Sequence, residues 1–323
     1  MKLAREAYAK INLFLAVTGR EANGYHTVEN IMQTVSLSDT VTLRTGSDIK
    51  GISVLSSDDE LGSEDDLVYR AAKMYFTIAN EKAKRNADTD SGVYGNNDTP
   101  PCAAGRSSCR GFAATDGVSF TVTKRIPKAA GLGGGSSDAA AALLLLNEAF
   151  GFLDGDELRR SAERLGADVP FFLVNGTVLC THYGEIIAPI TAGLVDCEIL
   201  IVKPGNKGST AEMYSVLDSK LRHPNAASAD KMIIALEKGR LSDISAAIRN
   251  DFSQVWQGTE TERAVNIMIE SGAAAASVSG SGPSAYGLFA NKADAKAAKE
   301  RLAAAGHESF LCKPISAGTT VSR

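Results

Sequence analysis

The sequence predicts an α+β protein of two domains, and three observations carry that expectation. The chain has 323 residues, 44% of them hydrophobic, which exceeds one average domain and suffices for two packed cores. Near its middle, a stretch alternating with a period of two runs into a glycine-rich loop and then a long alanine and leucine block, the order strand, loop, helix. From Cys197 onward, short apolar runs alternate with helical periodicity, which suggests a second layer of βαβ type. The boundary is placed between an N-terminal domain over 1–190 and a C-terminal domain over 191–323.

Taken in order, residues 7–17 and 35–43 are rich in Val, Leu, Ile and Thr. They read as paired strands on either side of Gly19-Arg20-Glu21-Ala22-Asn23-Gly24-Tyr25-His26, a polar, Gly-flanked turn. Residues 67–78 predict a helix, with Asp65 or Asp66 as N-cap and Leu67, Ala71, Met74, Tyr75 and Ile78 near 3.6 spacing. Residues 84–117 are dominated by Asn, Asp, Gly, Ser, Thr and Pro without periodicity, and predict a flexible, disordered insertion rather than a lid. Residues 118–123 give a strand, 127–138 the glycine loop, and 139–150 a helix closed by Gly151. A helix over 156–165 stops at Gly166, and residues 167–170 turn into an expected apolar strand over 171–174. Beyond it the expected order is strand 197–202, helices around 211–217, 231–237 and 262–271, strand 274–277, a turn over 279–283, strand 284–290, helix 293–305 and strand 310–315.

Composition removes several classes of function. A net charge of −4 argues against a nucleic-acid binder, which would carry a basic excess. The five cysteines (Cys102, Cys109, Cys180, Cys197, Cys312) form no CxxC pair and have no nearby His, so neither a disulfide framework nor a zinc site is encoded, and a reducing cytoplasm fits. The longest apolar block, 139–146, falls far short of the roughly 20 residues that span a bilayer. At the N-terminus Lys10 and Asn12 interrupt what would be a signal-peptide core, and the segment is expected to be a strand.

The glycine loop carries the chemistry. In Gly131-Leu132-Gly133-Gly134-Gly135-Ser136-Ser137, glycines let backbone N–H groups close around a ligand, and the unpaired amides of the following helix face the same spot, so a phosphate fits there. No Lys follows the last Gly as in a P-loop, and the spacing is not that of a dinucleotide fingerprint. If the loop holds a triphosphate, phosphoryl transfer needs positioning, positive charge and an acceptor for the proton of the attacking hydroxyl. Lys10, alone in an apolar strand, and Asp168, between a helix stop and an apolar run, are the pair expected to supply them, each favouring the charged form of the other.

The stretch from Pro127 to Ser137 closely resembles the signature of the GHMP kinases, the superfamily of galactokinase, homoserine kinase and mevalonate kinase. Ala9-Lys10-Ile11-Asn12-Leu13-Phe14-Leu15, Gly24-Tyr25-His26, Leu165-Gly166-Ala167-Asp168-Val169-Pro170-Phe171-Phe172 and Ser279-Gly280-Ser281-Gly282-Pro283 are similar to the branch whose acceptor is a cytidine-diphosphate-linked polyol. The resemblance implies an N-terminal ribosomal-protein-S5-like domain, a C-terminal ferredoxin-like domain, and a small-molecule kinase acting as a monomer or homodimer. It further implies ATP clasped by Pro127, Lys128, Ala129, Ala130, Gly131, Leu132, Gly133, Gly134, Gly135, Ser136 and Ser137, with Lys10 and Asp168 catalytic. Asn12, Tyr25 and His26 would lie on the cytidine-diphosphate side, Tyr25 stacking on the base and Tyr214 supplying the opposite face. No acidic cluster announces a metal site, so Mg²⁺ is expected to arrive with ATP, with the Ser137 hydroxyl as a single contact. Alternatives are a homoserine- or mevalonate-type kinase, the related diphosphate decarboxylase, or a nucleotide-binding regulator without catalysis, which would be expected to lack Lys10 or Asp168. The chain departs from the family pattern at His182-Tyr183 and in the long insertion.

Overall fold

Two long strands, β1 (Lys2–Arg20) and β2 (His26–Gly46), form the antiparallel hairpin on which the N-terminal half is built. The computed structural model describes residues 1–57, 65–90, 117–220 and 228–316, with the side chains of 86–90 left aside. Both strands are longer than the expected 7–17 and 35–43, because the polar turn shrinks to a tip around 21–25 and half-buried Thr, Ser and Glu continue the ladder on either side. After them come β3 (Ile52–Ser56), α1 (Leu67–Asp90), β4 (Gly117–Thr123), α2 (Gly134–Phe150), α3 (Gly155–Leu165), α4 (Val169–Val174), β5 (Thr177–His182) and β6 (Ile186–Pro189). The C-terminal half follows as β7 (Glu198–Val202), α5 (Thr210–Lys220), α6 (Asp230–Lys238), α7 (Leu241–Ala247), β8 (Arg249–Asn250), a 3-10 turn Asp251–Trp256, α8 (Glu260–Glu270), β9 (Ala275–Val278), β10 (Ala285–Phe289), α9 (Lys292–Ala304) and β11 (Ser309–Cys312).

Two expectations change. The apolar run expected as a strand over 171–174 is the helix α4; Pro170 sits in its first turn, where a missing N–H costs nothing, and Phe171 and Phe172 are buried. Four apolar residues in a row do not distinguish a strand from a buried helix by period. The expected insertion over 84–117 begins with residues that continue α1 to Asp90, and Gly117 already belongs to β4; residues 91–116, with Cys102 and Cys109, lie outside the described residues.

The larger sheet runs β3-β4-β2-β1-β8, with β5 also on β2 and β6 on β5. Helices α1, α2 and α3 cover one face, where Met32, Leu43, Phe120 and Val122 meet Tyr75, Leu143 and Leu146. Helix α2 is buried nearly all round, as an alanine and leucine helix without a polar stripe must be. Leu146 is fully buried there, so Leu146→Ala is expected to cost about 2–5 kcal/mol. A denaturation midpoint that moves with an unchanged slope checks this.

The smaller sheet has the order β11-β7-β10-β9, antiparallel throughout, which in chain order is fourth, first, third, second. That is the split βαβ arrangement of a ferredoxin-like unit. Its two faces separate by alternation: Leu200, Val202, Ala285 and Phe289 pack on α8 and α9, while Ile199, Ile201, Tyr286 and Leu288 share a core with Ala9, Ile11 and Leu13 of β1. Strand β1 therefore spends Ala9, Ile11 and Leu13 on the core between the sheets, and past the register shift at Asn12/Phe14 the alternation changes phase, with Phe14 and Ala16 in that core. Lys10 and Asn12 point the other way, toward the start of α2. No helix among the described residues is long and apolar enough to cross a membrane.

Candidate active site

A cleft of about 680 Å³ opens between the glycine loop, β1, the residues before α4 and the loop after β7. Gly131 (φ 78°) and Gly133 (φ 74°) hold left-handed conformations that favour glycine. Space makes the same demand. A Cβ on Gly131 would run into the Ser279 carbonyl oxygen, and one on Gly133 would lie 2.6 Å from the Phe172 ring and 3.2 Å from Lys10 Cγ. The loop is fastened on both sides, by Lys10 N donating to Leu132 O (3.0 Å) and Ser279 Oγ donating to Gly131 O (3.0 Å). Gly133 caps α2 without a side-chain bond, so the first amides of the helix face the cleft unsatisfied by a capping residue. Residues 127–131, 133–136 and Leu132 all form the wall; Ser137 lies behind it, buried in the first turn of α2.

Lys10 is 3% exposed, and its Nζ donates to Asn12 Oδ1 at 2.7 Å. Burial lowers its pKa, while Asp168 and Cys180 pull it back up. Asp168 stands in the cleft wall as the residue before α4, with no capping bond from its side chain. The structure thus brings the expected pair within electrostatic reach, but no ion pair joins them among the described residues. Asp168 favours the charged form of Lys10, as expected, but desolvation is the larger influence and the net direction is down.

Asn12, expected beside the cytidine, is committed to Lys10. Its Oδ1 also accepts from Gly280 N (2.6 Å), and its Nδ2 donates to Asn30 Oδ1 (2.8 Å). The register shifts of β1 against β2 at Tyr8/Ala9 and Asn12/Phe14 bracket these residues, as bulges beside sites often do.

On the far side of the cleft, the His26 ring lies parallel to Tyr214, centroids 4.5 Å apart, and its Nε2 bonds Asp218 Oδ1 at 2.7 Å. Tyr214 meets the Phe252 edge at 4.9 Å, and Tyr25, 66% exposed, meets Tyr183 at 5.5 Å. Tyr25 leans on Tyr183 with the two ring planes tilted by 52°, whereas Tyr214 has one face against the His26 ring and meets Phe252 edge-on. Tyr183, from the turn that departs from the family pattern, is in the wall; its hydroxyl donates to Glu21 Oε2 (2.6 Å) and accepts from Asn23 Nδ2 (2.7 Å).

Sequence reasoning missed a buried triad under the loop entrance. Lys124 Nζ donates to Asp39 Oδ2 and to Asp138 Oδ2 (2.6 Å), and both carboxylates are buried. Burial raises the Asp138 carboxyl to about 7; Lys124 opposes this, and the negative charges of Asp39 and Asp66 add to it. Asp138 Oδ1 and Asp66 Oδ2 have no hydrogen-bond partner, and both residues line the cleft. A charged residue inside a strand pattern, Asp39, was the available signal. Lys207 was missed as well, although its amine reaches the same cleft.

Both halves of the chain match family models: residues 102–176 that described as "GHMP kinases N terminal domain", and residues 232–308 that described as "GHMP kinases C terminal". A crystal structure of mevalonate kinase superposes with a TM-score of 0.65 over 97% of this chain and 99% of that one, at 16% identity, a likeness of fold alone. The fold and the loop define a GHMP kinase, an enzyme that phosphorylates a small molecule. The 4-diphosphocytidyl-2-C-methyl-D-erythritol kinase of Lachnoclostridium phytofermentans is 34% identical over 323 aligned positions, covering 96% of this chain and 97% of the relative. That of Caldicellulosiruptor saccharolyticus is 35% identical over 302, covering 92% and 91%. A crystal structure of 4-(cytidine 5'-diphospho)-2C-methyl-D-erythritol kinase aligns at TM-score 0.71 and 26% identity over 97% of this chain and 99% of that one. The chain belongs to the 4-diphosphocytidyl-2-C-methyl-D-erythritol kinase family.

Proposed function

We propose that the chain transfers the γ-phosphoryl group of ATP to the 2-hydroxyl of 4-diphosphocytidyl-2-C-methyl-D-erythritol, a step of the non-mevalonate (MEP) route to isoprenoid precursors. The observation that carries this reading is the convergence of Lys10, Asp168 and the glycine loop on one cleft in a chain that aligns end to end with kinases named for that acceptor. In the transfer, the acceptor oxygen bonds to the γ-phosphorus, the bond to the β,γ-bridging oxygen breaks, the hydroxyl proton passes to the Asp168 carboxylate, and ADP leaves. Lys10, held by Asn12 and not ion-paired, meets charge developing on the transferred group. Tyr25, His26 and Tyr214 are assigned to the base side, with Tyr183 beside them.

The residues present fit a nucleotide. The loop approaches too closely for any Cβ at Gly131 or Gly133, and the partnerless oxygens of Asp138 and Asp66 await a cation or a donor. Mg²⁺ is assigned to arrive with ATP, where it neutralises phosphate charge. No group of three His, Cys, Asp or Glu side chains suited to a metal occurs among the described residues. The free thiols of Cys180, Cys197 and Cys312 are compatible with a reducing cytoplasm.

The test is ADP release with a panel of acceptors. Exchanging cytidine for uridine turns the exocyclic donor into an acceptor, and is expected to lower kcat/KM by about 10²-fold or more. Equal turnover of both, or turnover of mevalonate or homoserine alone, sinks the assignment.

A further inference from the structure

Lys207 has no part in the chemistry above, yet the fold holds it there. It lies in the loop between β7 and α5, and its half-buried side chain donates from Nζ to Ser281 Oγ at 2.5 Å. Ser281 belongs to the turn whose Gly280 N bonds the Asn12 that holds Lys10, and whose Ser279 Oγ bonds the glycine loop at Gly131 O. One short turn therefore sets the spacing of both amines and the nucleotide loop.

Lys207 lines the cleft within electrostatic reach of Lys10 and Asp168, and no carboxylate pairs with it among the described residues. A lone hydroxyl uses one of its three N–H donors. A lysine with nothing to bind ordinarily keeps its head in water. One amine and one carboxylate act on Lys207, and the cleft leaves its ammonium without a partner carboxylate of its own among the described residues, where two phosphorylated molecules must meet.

We propose that Lys207 is a second phosphate-binding cation of the active site, holding a phosphate oxyanion of the reacting pair alongside Lys10. The inference rests on the kinase reading. The oxyanion has two sources, the diphosphate of the acceptor and the γ-phosphoryl group of ATP.

Protonation makes the role measurable. Burial and the nearby charge of Lys10 lower the Lys207 pKa to about 8, opposed by Asp168. Lys203 and Glu212 are its charged neighbours in sequence, and the Glu212 carboxylate is turned to the Ser209 amide at 2.7 Å. Phosphate needs the charged amine, so kcat/KM is expected to be full below pH 8 and to fall as pH rises through it. An arginine stays charged throughout that range and removes the part of this limb that belongs to Lys207, leaving any part set by the buried Lys10.

The experiment compares the full chain with Lys207→Met and Lys207→Arg, both checked for an unchanged thermal midpoint, with Lys207→Gln in reserve if Met perturbs folding. Affinities for CDP, cytidine and a non-hydrolysable ATP analogue are measured, together with kcat and the pH profile. Lys207→Met is expected to lose about 10-fold or more in one phosphate-dependent quantity, while Lys207→Arg keeps most of it and loses the part of the limb near pH 8 that belongs to Lys207. A loss for CDP but not cytidine assigns the acceptor diphosphate. A loss for the ATP analogue, or in kcat alone, assigns the γ-phosphoryl group. Values within two-fold of wild type throughout, or an equal loss for cytidine and CDP, overturn the proposal. Wild-type protein that binds the ATP analogue but not CDP overturns the acceptor reading instead, and Lys207 is then judged on the analogue and on kcat.

Discussion

Asp168→Asn lowers kcat by about 10²-fold or more while affinity for an ATP analogue stays within about two-fold, the scale of a lost general base. The carboxylate makes no cap bond to α4 and no ion pair with Lys10 among the described residues, so an isosteric amide disturbs little that holds the fold. What it removes is the proton acceptor, an interaction realised in the transition state rather than on binding. Lys10→Ala is also expected to lower kcat, because the charge on the transferred phosphoryl loses a nearby cation. Asp168 is one of the influences that keep the buried Lys10 amine charged, so the two act as a unit. The double variant is then expected to be far less impaired than the product of the single losses. Near wild-type kcat for Asp168→Asn refutes the base assignment, and fully multiplicative losses refute the coupling.

Lys10 and the glycine loop were legible for a local reason: each breaks the pattern around it. A lysine in an apolar strand and glycines clustered before a helix are costs that need a return, and the structure gives it, with Lys10 buried in the cleft and no room for a Cβ at Gly131 or Gly133. The four strands of the smaller sheet and the helices α5, α6, α8 and α9 were readable from alternating periods, whereas the short α4, α7, β8 and the 3-10 turn were not, because a few residues offer no period to read. What the sequence could not announce were contacts between distant residues. Lys124 and Asp39 are separated by 85 positions, so Asp39, though out of place in a strand pattern, does not name its partner. The ring pairings had the same limit. The sequence singles out Tyr25, His26 and Tyr214, but which rings meet depends on where Tyr183 and Phe252 stand, and that is set by the packing of β5 and the 3-10 turn.

Asp39→Ala is expected to destabilise the protein by about 3–5 kcal/mol, the cost of breaking a buried charge pair from one side. Asp39 has no exposed surface; its Oδ1 accepts from Arg125 N and from Ile126 N (2.8 Å), and its Oδ2 from Lys124 Nζ. This one carboxylate joins β2 to the backbone that leads into the glycine loop and, through Lys124 and Asp138, to the first turn of α2. Burial alone would lower the Lys124 pKa, but Asp138 and Asp39 together raise it, so the ammonium stays charged and depends on both. Truncation strands two backbone amides and leaves that ammonium with Asp138 alone. The loop entrance should loosen, so KM for ATP should rise in parallel with the fall in the denaturation midpoint, and a saturating ATP analogue should restore part of the stability. Removing the ammonium too, in Asp39→Ala with Lys124→Met, should cost less than the sum of the single changes, because the uncompensated buried charge is gone. A loss below about 1 kcal/mol for Asp39→Ala, or strict additivity in the double variant, would show that the triad is not what fixes the entrance to the loop.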